Sequence, residues 1–357
     1  NLDLALTQKL DFVTKGLQFK IKVAYNSGYD HTKERATSIE SYQPWYRKDV
    51  TWMEHPAGSD PNEVVYIQDG EAGLISYAES FGKSRDWYAE ASFDWKRDFD
   101  LHHLSALALY NQSKTYYPDS DYPGIPRGYV GLVGRVTYDY DNKYLIEGNV
   151  GYNGSENFAP GHRFGFFPAF SLGWVVSEES FFNTSVVDYL KLRASYGLVG
   201  NDQIGGDRFL YLSLWQSADD GQFGYPNPTG GGGGVNEKRT GNESLTWEKA
   251  KKFNFGVDTR LFRSQLELTA DVFYERRSNI LTNVDIVPGT YGGPAIQANA
   301  GIVENKGLEF DATWRGRIGK DIEYFVGGNY SFARNKIIEK PESPQAYDYL
   351  YATGRRV

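Results

Sequence analysis

Cysteine is absent from the 357 residues, so a disulfide scaffold, a thiolate metal site and a cysteine nucleophile are all excluded. Positive charge is in deficit: 38 Lys and Arg against 46 Asp and Glu leave a net charge of −8, with a pI near 5.3. Nucleic-acid binding calls for a basic patch, and this balance argues against it. Long apolar runs are missing as well. Mean hydropathy is −0.55, and no run approaches the ~18 residues of a membrane helix. A helical membrane protein is excluded. A membrane barrel is not, because its strands need only alternate. No basic-then-apolar leader precedes Leu2, residue 1 is Asn, and Ala352–Val357 carries no strand or helix signal. The expectation is a segment of a longer chain.

Aromatic residues and glycine are abundant, at 16% and 39 residues, which favours strands and turns. The dominant period is two. Leu17, Phe19, Ile21, Val23 and Tyr25 alternate with Gln18, Lys20 and Lys22. The same pattern runs through 190–198, 253–261, 266–274 and 308–314, and about twelve such segments lie between Leu2 and Ala333. In 104–110 two sets, Leu104/Ala106/Ala108 and Leu107/Leu109, compete for the apolar face. Segments of about nine residues fit a tilted membrane span. By length alone they equally fit a soluble sandwich or propeller with long strands.

The placement of the rings separates these readings. Trp87 and Trp95 flank Ala89, Ala91 and Phe93; Tyr144 and Tyr152 flank Ile146, Gly148 and Val150. Tyr324 opens a similar strand, and Trp174 and Trp314 close theirs. Eight steps at ~3.3 Å, tilted ~40°, span about 20 Å, close to the ~25 Å apolar band between the aromatic girdles of an outer-membrane barrel. Amphipathic rings favour the headgroup level. The predicted membrane-interface aromatics are therefore Trp87, Trp95, Tyr144, Tyr152, Trp174, Trp314 and Tyr324. Connections alternate in length: short near 97–101, 141–143, 262–265 and 316–321, long near 26–85, 112–128, 154–167, 200–246 and 276–303, and long again from 334. Short turns on one rim and long loops on the other match an outer-membrane barrel. Between 177 and 188, Ser177-Glu178-Glu179 reads as the cap of a single helical turn.

Several runs then become familiar: Gly134-Arg135-Val136-Thr137-Tyr138-Asp139-Tyr140-Asp141, Tyr152-Asn153-Gly154-Ser155-Glu156-Asn157-Phe158-Ala159-Pro160-Gly161 and Phe167-Pro168-Ala169-Phe170-Ser171-Leu172-Gly173-Trp174. So do Leu190-Lys191-Leu192-Arg193-Ala194-Ser195-Tyr196-Gly197, Trp247-Glu248-Lys249, Asn305-Lys306-Gly307-Leu308-Glu309 and Gly328-Asn329-Tyr330-Ser331-Phe332. In order and content they resemble the SusC/RagA family of TonB-dependent outer-membrane transporters. The resemblance covers most of the chain from about residue 80 onward. It implies an all-β fold: part of an antiparallel up-and-down transmembrane β-barrel in the outer membrane of a Bacteroidetes-like Gram-negative cell. It implies a nutrient importer rather than an enzyme. Implied partners are a SusD-like surface lipoprotein, the TonB complex, outer-membrane lipid and a glycan or peptide cargo. The family's plug and TonB box are not recognised within 1–357, so the whole chain is expected to be barrel, with long extracellular loops near 26–85, 200–246 and 276–303. Two rival readings stay open: a passive porin-like barrel, and a secreted all-β glycan-binding domain.

No catalytic or cofactor site is expected. His31, His55, His102, His103 and His162 are scattered, four of them in predicted loops or turns, and the pair 102–103 points to opposite faces of a strand. Glu178 and Glu179 are neighbours and cannot flank one glycosidic bond. Gly82-Lys83-Ser84 ends like a P-loop, but Tyr77 stands where its first glycine belongs. Gly230–Gly234 has no helix after it and reads as an external loop. Asp119–Gly124 is similar to a calcium loop, with Val130 in place of its closing Glu, which leaves only a weak loop-calcium expectation. External rings are the better candidates for cargo contact, because aromatic faces stack on sugars. Those are Trp45, Tyr46, Trp52, Tyr116, Tyr117 and Trp215, with Tyr66, Tyr77, Tyr211 and Tyr225 in the same loops. Arg193, Asp258, Arg260, Glu309 and Asp311 are expected on the inner wall, where salt bridging is the plainer role.

Overall fold

Alternating segments of this length cannot satisfy their backbone alone, so they pair. In the computed structural model the described residues include sixteen strands. The structure describes residues 1–50, 52, 58–117, 124–203, 208–218, 234–284, 286 and 289–357. The strands are β1 (Leu2–Lys9), β2 (Leu17–Ala36), β3 (Ser41–Tyr46), β4 (Val64–Gly70), β5 (Ser76–Phe99), β6 (His102–Tyr116), β7 (Arg127–Tyr140) and β8 (Tyr144–Ser155). They continue with β9 (Phe164–Val175), β10 (Val187–Asn201), β11 (Leu214–Ala218), β12 (Gly234–Arg239), β13 (Glu248–Leu261), β14 (Leu266–Val284), β15 (Ile296–Ile318) and β16 (Ile322–Glu339). Twelve of them make one sheet in the order β1-β2-β5-β6-β7-β8-β9-β10-β13-β14-β15-β16, matching the number of alternating segments. Two hairpins, β3–β4 and β11–β12, stand apart from it. Among the described residues no helix is long and apolar enough to cross a membrane.

The register turns alternation along each strand into rows across the sheet. One row runs Tyr138, Ile146, Leu172, Ala194, Phe255, Val272, Leu308, Phe332, each residue opposite the next. The row one residue away runs Asp139, Leu145, Gly173, Arg193, Gly256, Asp271, Glu309, Ser331. Because a one-residue step flips the face, one side of the sheet is apolar and the other mostly polar. The apolar side is bare: Leu172 is 46% exposed, Phe255 41%, Val272 57% and Leu308 43%. A contiguous apolar face of this extent is incompatible with contact with water and marks a lipid or protein contact.

In 104–110 the ambiguity resolves through one bond. Ser105 Oγ shares a hydrogen bond with Thr137 Oγ1, so Ser105, Leu107 and Leu109 lie with the polar side and Ala106 and Ala108 with the apolar one. Strand pairing also runs past the apolar band. β2 and β5 continue into 26–36 and 76–86, and β14 and β15 reach Val284 and Ile296. His31, expected in a loop, is therefore in β2, its ring stacked 4.6 Å from that of Phe81.

The chain divides into two compact units. One comprises 26–86 and 115–125 with Asn1; it holds the outer ends of β2 and β5 and the β3–β4 hairpin. The other comprises 2–25, 87–114 and 126–357. Its buried core does not lie on the sheet's apolar side. Phe158, Phe167, Leu210, Leu245 and Trp247 form it, drawn mainly from the long connections.

Candidate functional site

On the polar side, Arg193 of β10 reaches across β13. Its Nε donates to Asp258 Oδ2 at 3.1 Å, and its Nη2 to Asp271 Oδ2 of β14 at 2.5 Å. Gly256 of β13 clears the path. A Cβ there would sit 2.6 Å from the Arg193 Cζ and 2.7 Å from Asp271 Oδ1. Nearby, Glu267 joins Arg315 at 2.6 Å and Arg260 at 3.6 Å. Glu309 receives a bond of 3.4 Å from Ser331 Oγ. The wall residues expected from the sequence thus share one face. Arg193, Asp258 and Arg260 are spent on ion pairs, while Glu309 and Asp311 have none among the described residues. Beside Arg193 lies an open cavity of about 420 Å³, lined in part by Thr137, Glu147, Ser171, Ser195 and Asn254. Leu145, Ile146 and Leu172 also line it, it is open, and it holds no nucleophile–base pair, which suits passing contact with a solute rather than chemistry.

At the long-loop rim of the same unit, the loop-borne core is locked by polar bonds. Trp247 Nε1 donates to the Arg163 carbonyl at 3.0 Å, and its ring lies 5.5 Å from Phe158. The buried Arg208 guanidinium bonds Glu156 and, at 3.1 Å, the Pro126 carbonyl. Asn299 exchanges bonds of 2.8 and 2.9 Å with the backbone of Thr246. Arg208 has no period or motif around it and is invisible to sequence reading. Phe158 and Trp247 stand within the family-like runs, but nothing in those runs shows that they meet.

The candidate cargo rings fall in separate places. Trp45 and Tyr46 are adjacent on β3, 45% and 52% exposed, and Trp52 follows at 72%. The Lys48 ammonium lies 5.3 Å from the Tyr46 ring. Tyr116 and Tyr117, at the end of β6, face cations of their own: Arg85 at 4.0 Å and Lys83 at 4.2 Å. Trp215 is on β11 in the other unit, 61% exposed. No ring contact joins these residues to one another among the described residues. His55, Tyr225, Gly230–Gly233 and the calcium-like 119–123 lie outside the described residues.

The short-turn rim is aromatic. Tyr144 stands opposite Trp174 in the register, and Trp314 lies 6.2 Å from Phe262. Tyr324 is opposite Gly316 on the same rim. Tyr152 marks the other edge, its ring stacked 5.1 Å from Phe164. The helical turn at 177–179 is a single 3-10 turn over Val176–Glu178, and no side chain caps it. Glu179 has a different task. It accepts from Tyr144 Oη and, at 2.9 Å, from Trp174 Nε1, and these bonds hold its carboxyl below the usual range.

A model of the β-barrel of TonB-dependent receptor-like proteins matches residues 1–356. The chain belongs to that family. The family is one of outer-membrane receptors of Gram-negative bacteria rather than of enzymes, so the apolar side of the sheet is its lipid side. TonB-dependent receptor P39 of Formosa agariphila is 30% identical over 308 residues, 78% of this chain and 28% of the relative. TonB-dependent receptor SusC of Bacteroides thetaiotaomicron is 28% identical over 230 residues, 64% of this chain and 22% of the relative. The chain thus spans roughly a quarter of the curated relatives it matches. Among solved structures, the RagAB peptide importer in its closed-closed state superposes over 99% of this chain and 39% of its own, with a TM-score of 0.73 at 17% identity. That likeness concerns the fold: a section of a TonB-dependent receptor barrel.

Proposed function

We propose that the receptor carrying this chain imports oligosaccharides, with peptides as the second cargo class, across the outer membrane. In this reading it draws energy through TonB, and a SusD-like surface lipoprotein covers its long-loop rim. One observation carries the reading most. A polar wall with fixed ion pairs backs a lipid-facing apolar band, in a chain similar to SusC along 64% of its length. The long-loop rim faces the cell exterior and the short-turn rim the periplasm. On the external side Trp45, Tyr46, Trp52, Tyr116, Tyr117 and Trp215 offer ring faces to sugars or to the lipoprotein, while acidic and amide neighbours bond hydroxyl groups. The cations over Tyr116 and Tyr117 engage ring faces and hold those rings in place.

The test is uptake of labelled oligosaccharides and peptides in a strain lacking the full-length gene. The expected result is loss of one cargo class, restored by the gene and abolished again without TonB. Unchanged uptake of every cargo overturns the importer reading. Uptake that survives the loss of TonB overturns the energised one and leaves a porin-like barrel.

A further inference from the structure

Just beyond the apolar band at the long-loop rim, the lipid side of β13–β16 turns basic. Lys251 of β13 is opposite Arg276 of β14, Arg276 opposite Glu304 of β15, and Glu304 opposite Lys336 of β16. In the next row toward the band, Tyr274, Lys306 and Arg334 follow one another. Phe253 completes that row, and the row after it on the same face is Phe255, Val272, Leu308 and Phe332. Five cations and one carboxylate therefore share a surface, in a chain whose net charge is −8.

The carboxylate is already committed: Glu304 pairs with Arg276. Lys251, Lys306, Arg334 and Lys336 are exposed, with no ion pair among the described residues. Lys306 and Arg334 stand directly opposite each other. Like charges so placed repel, at a cost to the sheet unless an anion lies between them. Strands sit ~4.8 Å apart, so the patch is ~14 Å wide, the scale of a lipid headgroup. Its height, one alternation above the last apolar residues, is that of the headgroup layer, where long basic side chains keep their stems in the apolar band. Guanidinium and ammonium groups both bind phosphate, the first in a bidentate manner. Basic clusters at a membrane surface attract anionic lipid in this way.

We infer that this patch binds the phosphate of a lipid headgroup in the leaflet on the long-loop side and fixes the barrel wall against it. The assignment of that leaflet to the cell exterior rests on the orientation proposed above.

The test uses the full-length receptor in mixed micelles, with bis-phosphorylated lipid A and its phosphate-free form as probes. The unmodified receptor should bind the phosphorylated lipid about tenfold or more tightly than the stripped one. The triple variant Lys306→Gln, Arg334→Gln, Lys336→Gln should lose that difference. The double variant Lys306→Arg, Lys336→Arg should keep it, which separates charge from folding. Equal binding of the two lipids by the unmodified receptor overturns the inference. So does full displacement of lipid by an equal concentration of inorganic phosphate, which would mark a free-anion site. Capture of an acidic protein at the patch in place of lipid overturns it too. Protease added to intact cells reads the orientation separately: protection of the long loops would overturn the outward assignment and leave phosphate binding to be judged on its own data.

Discussion

Phe170 and Ser171 are neighbours on β9 that the register sends to opposite media. Phe170 lies between Gly148 and Tyr196 on the lipid side, and Ser171 between Glu147 and Ser195 on the polar side. Phe170 is four residues from Trp174 at one rim and four from Phe166, opposite Tyr152, at the other. At ~3.3 Å per residue and ~40° tilt it sits ~10 Å from each rim, close to the bilayer midplane. Arginine there should cost ~2–4 kcal/mol relative to alanine at the same position, roughly 30- to 900-fold in the folding equilibrium. Ser171→Arg should cost under ~1 kcal/mol, because the new cation faces Glu147 and water. The assay is urea titration of the full-length receptor in lipid vesicles, with folded fraction read from heat-modifiable gel mobility. Equal costs for Phe170→Arg and Ser171→Arg would refute the face assignment. A negligible cost for Phe170→Arg would refute its lipid contact.

Gly256→Val should push Arg193 off Asp271, since the new Cβ occupies the guanidinium path; Arg193→Met in the same background should then add little, as a double-mutant cycle would show. Trp247→Ala removes the centre of the loop-borne core and should cost ~3–5 kcal/mol locally, seen as rapid proteolysis of the long connections with the sheet intact. Glu342, in the connection after β16, is held at about 2 by the Thr353 hydroxyl and the Ala352 and Thr353 amides. Its folded value is depressed, so the contact is fully present above the ordinary carboxylate range and is lost as pH falls toward 2. Relative to their intrinsic exchange rates, the Ala352 and Thr353 amides should stay protected at about pH 4 and lose protection as pH falls toward 2, and Glu342→Gln should weaken that protection at about pH 4.

The sheet was legible because lipid on one side and water on the other impose a period of two, and that period survives in the sequence from Leu17 to Phe332. Strand ends were not legible for the same reason. Beyond the band both faces of β2 are wet, so Asn26–Ala36 pairs without any alternation to announce it. The face of 104–110 needed a partner strand, since Leu107 and Leu109 are as apolar as Leu104 and only the Ser105–Thr137 bond decides between them. The Arg193–Asp258–Asp271 link joins residues 65 and 78 apart, and only the register makes them neighbours. The rings were found by composition, but nothing in the sequence shows that they fall in separate places, Trp45 and Tyr46 on β3, Tyr116 and Tyr117 at the end of β6 and Trp215 on β11.

The position of the buried core follows from the same physics. A water-soluble domain gathers its apolar residues between layers, whereas here the largest apolar surface is left bare on purpose, for lipid to cover. Hydrophobic burial within the chain is then available only where the long connections fold back, and that is where Phe158, Leu245 and Trp247 are found. These side chains are tied by Arg208, Asn299 and Trp247 Nε1 to backbone and carboxylate partners distant in sequence. The long-loop rim is thus a folded body, not a set of tethers. Trp215, whose hairpin joins that body through Arg239 and the carbonyls of Arg208 and Phe209, is held on it in a fixed place, which a surface that must recognise cargo or a partner requires.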